Sequence, residues 1–379
     1  MKKSRILAAG FAGIVFFGIS FLTLGAVLPS LRETLHLTME QSSFLASILP
    51  LGVLAGSIAF GPWCDRFGYK TPFQVASAMV VLGFLGLSVL QAVPWLGVCV
   101  FFIGMGGGIL NGSCNALVTD VSDDHNRSSN LSILGVFYGI GAILMPLVLG
   151  VFHQTPYTVI LRYVMVLLFL VFVYFSLISF PQSKIKQGFP MKEGLNLLRQ
   201  PLLLLFSFIL FFQSALEGLC SNWIPVFLQE SPSYGMPKEK ALFLLTFVVV
   251  GMTAGRVVLS WLTLRVAPWK VLWAYMLLIA VGFAGLAAGL RPLVPVLLIG
   301  IGLGATFPVV IAYIGTEYKA LSGTAIGIAM TVALTGNVLL NYLLGFLPIR
   351  VFPLYLLLIW ILMAGLYLLM TGRKLFKNI

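Results

Sequence analysis

The sequence predicts an all-α integral membrane protein whose twelve transmembrane helices form two six-helix halves of the same hand. Three observations carry that prediction. The 379 residues are 60% hydrophobic and 9% charged, with a mean hydropathy of +1.05, whereas a soluble domain is about half apolar and roughly a quarter charged. Apolar runs that match a bilayer core, about 20 residues each, occur twelve times. A weak internal repeat offsets the second six runs from the first by 199 residues.

The first run, 6–29, follows the basic start MKKSR. It has the length of a span, and no small-residue cleavage site leads into a polar mature start, so it is read as a helix and not as a signal peptide. Runs 43–62 and 73–93 flank the charged loop GPWCDRFGYK at 61–70. The glycine-rich run 95–119 and the runs 130–153 and 158–181 complete a first half, 1–181. PQSKIKQGFP, from 181, opens a basic, proline-bearing linker, 182–200, with turn chemistry and too much charge for the bilayer. The second half, 201–379, holds runs 201–228, 239–262, 269–291, 293–316, 322–346 and 351–372, the first two separated by ESPSYGMPKEK. Segments of about ten residues alternating in hydrophobicity, the mark of a membrane β-barrel, are missing from the sequence.

The repeat pairs Ala55-Gly56 with Ala254-Gly255, Arg66 with Arg265, Gly83-Phe84 with Gly282-Phe283, and Gly86-Leu87 with Gly285-Leu286. A one-residue slip then pairs Ile103-Gly104-Met105-Gly106 with Ile301-Gly302-Leu303-Gly304. Glycines in the same order across three helices point to duplication of a six-helix unit.

The net charge of +12 follows topology and not a nucleic-acid-binding face. With a cytoplasmic N-terminus, sixteen Lys and Arg residues, among them Arg66, Lys70, Arg127, Arg199, Arg265 and Lys270, fall on the inner side. Six fall on the outer side: Arg32, Arg162, Lys238, Lys240, Arg291 and Arg350. That bias places both termini in the cytoplasm. Cys64, Cys99, Cys114 and Cys220 lie in or beside spans without paired spacing and are read as small packing residues. His36, His125 and His153 are placed in loops.

The loop at 61–70 resembles the signature loop between the second and third helices of the major facilitator superfamily, with Gly61, Asp65, Arg66, Gly68 and Lys70 in matching places and mild departures at Cys64 and Tyr69. The resemblance implies two six-helix halves whose rocking exposes a midplane site to each side in turn. Gly61 permits close helix approach and Gly68 a tight turn. Asp65, Arg66 and Lys70 either latch one conformer or only enforce topology. The equivalent stretch SWLTLRVAPWK has Leu264 in the place of Asp65, so any second latch is incomplete.

Within that superfamily, Arg265 to Leu272 (RVAPWKVL), followed by Ala274-Tyr275 and preceded by Gly255-Arg256, resembles the fucose and glucose/galactose branch. GMGGGILNGSCNALVTD, with Asn115 near its middle, and Phe307-Pro308 point the same way. The branch implies hexoses or related polyols as substrates. Its proton-coupled fucose carriers have acids where Gly25 and Asn111 stand, and its sugar-contacting Gln of the fifth helix is replaced by Gly135, so the usual route of proton coupling is missing from this chain.

Polar side chains in spans face protein or a wet cavity. Asn111 and Asn115, Gln213 and Glu217, and Asn337 and Asn341 are each i, i+4 neighbours. Their amides carry the donors and acceptors that sugar hydroxyls need. With Asn222, Trp223 and Phe307 they form the expected substrate site. Each amide has a second reading as an interhelical hydrogen bond, and Trp223 either stacks on a sugar or belongs to the interfacial belt. Glu217, near the middle of its span, either binds substrate or carries a coupling proton. Arg256 either snorkels or pairs with Glu317, and with Arg265 these complete the expected gating set.

The function expected is a secondary active or facilitative carrier of a sugar-like solute, in which a proton or cation is the possible coupling partner. The alternative is an exporter of drugs or amphipathic metabolites driven by proton antiport, since the 61–70 signature is common in exporters. A channel is disfavoured by the repeat. No enzyme is expected, because no clustered metal ligands, no nucleophile with a base and no phosphate loop are present in the sequence. Neither a cofactor nor a nucleic-acid partner is expected, and the setting expected is a monomer, in contact with membrane lipid, in a bacterial inner membrane.

Overall fold

The computed structural model describes residues 3–122, 124–181, 197, 199–263, 265–318 and 322–372, with the side chains of Lys3, Asp65, 124–129, Ser132, 322–323 and 371–372 outside the description. Among the described residues the regular elements are all helical. They are α1 Lys3–Leu35, α2 Met39–Phe67, α3 Lys70–Val89, α4 Val93–Val121, α5 Asp124–Val151 and α6 Tyr157–Leu177, followed by α7 Pro201–Glu230, α8 Lys238–Leu262, α9 Pro268–Ala287, α10 Leu293–Glu317, α11 Ser322–Leu344 and α12 Phe352–Gly372. Each of the twelve contains a stretch long and apolar enough to cross a membrane. The protein is a multi-pass membrane protein.

Helices extend past the apolar runs that announce them. α1 continues through Pro29 to Leu35, and α5 starts at Asp124, so His125 is helical and not in the loop expected for it. Hydropathy marks where the hydrocarbon ends, whereas a helix persists through the headgroup zone for as long as its backbone bonds and caps hold. The α1–α2 corner shows such a cap. Thr38 Oγ1 accepts from the Gln41 amide at 3.2 Å while Gln41 Oε1 accepts from the Thr38 amide at 3.0 Å, a reciprocal capping box. Arg32 ties α1 to this corner by donating to Ser42 Oγ at 2.8 Å. At the α2–α3 corner Gly68 has φ +69° and its amide donates to the Cys64 carbonyl at 2.8 Å, a conformation that an L side chain resists.

Outward faces are apolar. Only 28% of the α6 membrane window is buried, and Leu167, Leu170 and Leu177 stand exposed along it. Such a face is stable only against hydrocarbon. All four cysteines are buried and none forms a disulfide, as their small-residue reading expects.

The chain divides into two compact units, Met1–Gly188 with Lys238–Phe243, and Phe189–Pro237 with Leu244–Ile379. The expected linker, 182–200, falls mostly outside the described residues, as does Leu264.

Within the first unit, α2 and α4 meet backbone to backbone. A Cβ on Gly56 would strike the Met105 carbonyl, one on Gly104 the Leu49 carbonyl, and one on Gly108 the Val53 carbonyl. Within the second unit, α8 and α10 meet in the same way: Gly255 lies on Ile301, Gly300 on Val248 and Gly304 on Met252. The α3–α4 contact of Gly106 on Ala76 likewise recurs as Gly302 on Tyr275 between α9 and α10. These contacts correct the expected register. α2 and α3 map onto α8 and α9 by 199 residues, but α4 maps onto α10 by 196, so Gly104 corresponds to Gly300 and not to Gly302. The glycine-rich strings of α4 and α10 align almost equally well in several registers, and only the neighbouring carbonyls choose among them.

Replacing Gly104 by Val is expected to cost more than the about 1–3 kcal/mol typical of overpacking, because the obstacle is backbone. Gly135, with no atom within 4 Å of an added Cβ, should accept Ala with an unchanged or slightly raised melting temperature, since Ala is favoured over Gly in a helix by about 1 kcal/mol. Thermal unfolding of the two variants in detergent checks both.

Candidate functional site

In the second unit the polar residues of α7 and α11 form one ladder. Trp223 Nε1 and Asn222 Nδ2 both donate to Asn341 Oδ1, at 3.1 Å and 3.3 Å. Asn341 Nδ2 donates to Asn337 Oδ1 at 2.8 Å and to the Asn337 carbonyl at 2.9 Å. Asn337 Nδ2 ends the ladder on Ser214 Oγ at 3.5 Å. Gly218 gives Asn337 its room, since a Cβ there would collide with the amide. Trp223 and Asn341 are 0% exposed. The i, i+4 spacing of Asn337 and Asn341 therefore serves a helix interface, and the ring of Trp223 presents no open face for a sugar in this structure. The expectation of stacking by Trp223 is corrected on that ground, as is its placement in an interfacial belt.

Beside this ladder lie the other polar groups of the unit. Gln213, fully buried, donates from Nε2 to the Leu303 carbonyl on α10 at 3.0 Å. Its Oε1, the Thr306 hydroxyl and Arg256 Nε are buried without hydrogen-bond partners. Glu217, one turn beyond Gln213, is half-buried, as is Phe307. Arg256 Nη2 reaches Met252 Sδ at 3.7 Å, and its guanidinium interacts electrostatically with Glu217. Arg256 and Glu317, both described, make no ion pair, and Glu317 is exposed. The expected Arg256–Glu317 pairing is thus corrected: Arg256 instead interacts electrostatically with Glu217, without forming an ion pair.

In the first unit Asn115 Nδ2 donates to the Asn111 carbonyl at 2.8 Å and to Asn111 Oδ1 at 3.2 Å. Asn111 is half-buried and Asn115 exposed. By the α4–α10 register, Asn111 corresponds to Phe307, so an amide in one unit is answered by a ring in the other. The α1–α5 and α7–α11 seams correspond too, through Gly141 on Val15 and Gly336 on Phe211. Glu217 then corresponds to Phe21, Asn337 to Ala142 and Asn341 to Pro146.

At the 61–70 loop, Arg66 stands 5.2 Å over the Phe67 ring and Lys70 is exposed. Tyr69, nearly fully buried, donates to Asp120 Oδ2 at the end of α4 at 2.7 Å. Sequence reasoning passes over Asp120, Thr306 and Ser214. Asp120 is the one it had means to find, being an acid in the last turn of a helix, where the macrodipole disfavours it. In the second unit Arg265 lies 4.5 Å over the Trp261 ring, and the Tyr275 hydroxyl donates to the Gly255 carbonyl at 2.7 Å. The Asp65 side chain is outside the description.

Asn341→Ala removes the acceptor shared by Asn222 and Trp223 and should lower stability by about 1–3 kcal/mol for each buried donor left unpaired. Thermal unfolding, with Asn115→Ala as the exposed control, measures it.

The twelve spans, the duplicated seam and the signature loop agree with the comparisons to known proteins. The model of the Major Facilitator Superfamily matches residues 10–341. The Glucose/mannose transporter GlcP of Bacillus subtilis is 19% identical over 355 residues, 89% of this chain and 86% of that protein. Sugar transporter ERD6-like 9 of Arabidopsis thaliana is 27% identical over 106 residues, a match that spans 28% of this chain and 31% of that protein. Among solved structures, a D-xylose-proton symporter superposes with a TM-score of 0.78 at 15% identity, covering 95% of this chain and 96% of its own. The nucleoside transporter NupG does so with a TM-score of 0.81 at 13% identity, covering 97% and 99%. At these identities the structures show the fold, while the family match spans nearly the whole chain: the protein belongs to the major facilitator superfamily of transporters.

Proposed function

We propose that the protein carries a sugar or sugar-like polar solute across the membrane by alternating access. The observation that supports this most is the similarity to a glucose/mannose transporter along 89% of the chain. The chemistry of the accessible polar groups agrees with it. Asn111 and Asn115 in the first unit offer amide donors and acceptors, and within the second unit Glu217 offers an acceptor and Phe307 an apolar ring face, kinds of group that a polyol requires. Arg256, within α8, interacts electrostatically with Glu217, and cations so scarce at mid-span disfavour phosphorylated substrates. Gln213, Asn222, Trp223, Asn337 and Asn341 support these groups from within the unit and do not meet the solute directly.

Glu217 is assigned to accept hydrogen bonds from substrate hydroxyls, with proton coupling as its competing role. Asp65 and Arg66, with Gly61, Gly68 and Lys70, are assigned to bias one conformer, and both termini to the cytoplasm of a bacterial cell.

Purified protein screened by thermal shift against hexoses, polyols and drug-like cations should be stabilised by a sugar or polyol, because a ligand that binds the native state raises its melting temperature. Stabilisation by amphipathic cations alone would replace this reading with the exporter. In proteoliposomes, Glu217→Gln should weaken substrate binding in exchange and accumulation alike. Retained exchange with loss of accumulation driven by a proton gradient would make Glu217 the coupling group instead. Asp65→Asn should change the balance of inward- and outward-accessible cysteine probes several-fold, a shift worth about 1 kcal/mol, with membrane insertion intact. Unchanged accessibility would leave the loop a purely topological role.

A further inference from the structure

The corner between α8 and α9, residues 263–267, lies where one span ends and the next begins, at the level of the lipid headgroups. Two tryptophans and two cations crowd it. The Arg265 guanidinium stands 4.5 Å over the Trp261 ring, and Lys270 Nζ is 5.4 Å from the centre of the Trp269 ring, both within cation–π reach. Trp261, Arg265, Val266 and Lys270 are exposed. Trp269 is tied to α12, because the Tyr367 hydroxyl donates to its carbonyl at 3.4 Å. Among the described residues neither Arg265 nor Lys270 makes an ion pair or a side-chain hydrogen bond, so the donors of both remain open.

The corresponding corner of the first unit has acids to set against its cations, and this one does not. By the 199-residue register of α2 and α8, Arg66 matches Arg265 while Asp65 matches Leu264; by the 196-residue register of α4 and α10, Asp120 matches Thr316. Both acids are gone, and between Glu239 and Glu317 the sequence contains no acidic residue at all. Glu317, exposed at the end of α10, pairs with neither cation. α9 also begins without an acid in its first turn and without a side-chain cap, so Lys270 adds its charge to the positive end of the helix dipole. What this corner lacks is an anion, and what it meets at a bilayer surface is phosphate. Arg suits phosphate by its planar donor fork and Lys as a point charge, while an indole at a span end rests its apolar face on the acyl chains.

We propose that the α8–α9 corner is a docking surface for anionic phospholipid headgroups, in which Arg265 and Lys270 each take a phosphate and Trp261 and Trp269 fix the depth of the corner in the leaflet. A bilayer presents many headgroups side by side, so the two cations do not have to converge on one. Zwitterionic lipid offers the same phosphate but covers it with a cation of its own, which makes net lipid charge the property that this surface discriminates.

The test is made on the full-length protein in neutral detergent, with no solute present, so its outcome is independent of whether the protein carries a sugar. Thermal unfolding is followed while dioleoylphosphatidylglycerol or dioleoylphosphatidylcholine is titrated into the micelles, and again with inorganic phosphate alone. Phosphatidylglycerol should raise the melting temperature saturably and phosphatidylcholine should not, because a ligand that binds the native state stabilises it. The apparent affinity should fall about fivefold in each of Arg265→Gln and Lys270→Gln. The lipid-specific shift should vanish in the double variant and stay in place in Arg66→Gln. Equal shifts with the two lipids, an unchanged shift in the double variant, or an equal loss in Arg66→Gln overturns the proposal. A matching shift with inorganic phosphate alone replaces the lipid with a soluble anion and overturns it as well. Should the double variant fail to fold, the two single variants decide.

Discussion

Backbone-to-backbone contact between helices is the constraint on which the rest of this structure depends. In a membrane, hydrocarbon tails are as apolar as the helix faces they cover, so burial of leucine gives two helices no reason to leave lipid for each other. What remains is close packing and interhelical hydrogen bonding. The Gly56, Gly104 and Gly108 seam in one unit and the Gly255, Gly300 and Gly304 seam in the other bring α2 to α4 and α8 to α10 until main chains touch. The next contacts, Gly83 on Ile103 and Gly282 on Ile299, hold α3 and α9 against the same central helices. Side chains on α4 and α10, Asn111 and Phe307 among them, take their positions from these contacts.

The architecture was legible because its causes are one-dimensional. Bilayer thickness sets span length, and a duplicated unit repeats its small residues in order. What was not legible has a common cause as well. A helix that is apolar on every side has no polar face to serve as a reference, so spacing shows that Asn337 and Asn341 share a face but not what that face meets. Trp223 illustrates this: its position near a span end fits either a belt or a sugar platform, yet it is buried against α11. The α4–α10 register failed for a related reason, since glycine strings match themselves at several offsets.

The two units share a plan but not a chemistry. Their seams coincide contact for contact, while α7 and α11 carry Glu217, Asn222, Asn337 and Asn341 where α1 and α5 carry Phe21, Ala26, Ala142 and Pro146. Duplication supplied the scaffold twice, and the two copies place their polar groups on different helices, α4 in the first and α7 with α11 in the second.

The amide ladder between α7 and α11 has a mechanical consequence. Apolar seams such as α1 on α5 resist separation but oppose sliding only through the interlocking of side chains. A slide of one helix past another by a single residue rise, about 1.5 Å, would pull Trp223, Asn222 and Ser214 out of register with Asn341 and Asn337 together. α7 and α11 therefore behave as a laminated beam, stiff in shear, whereas the α1–α5 seam relies on its close backbone approach, Gly141 on Val15, to hold its register.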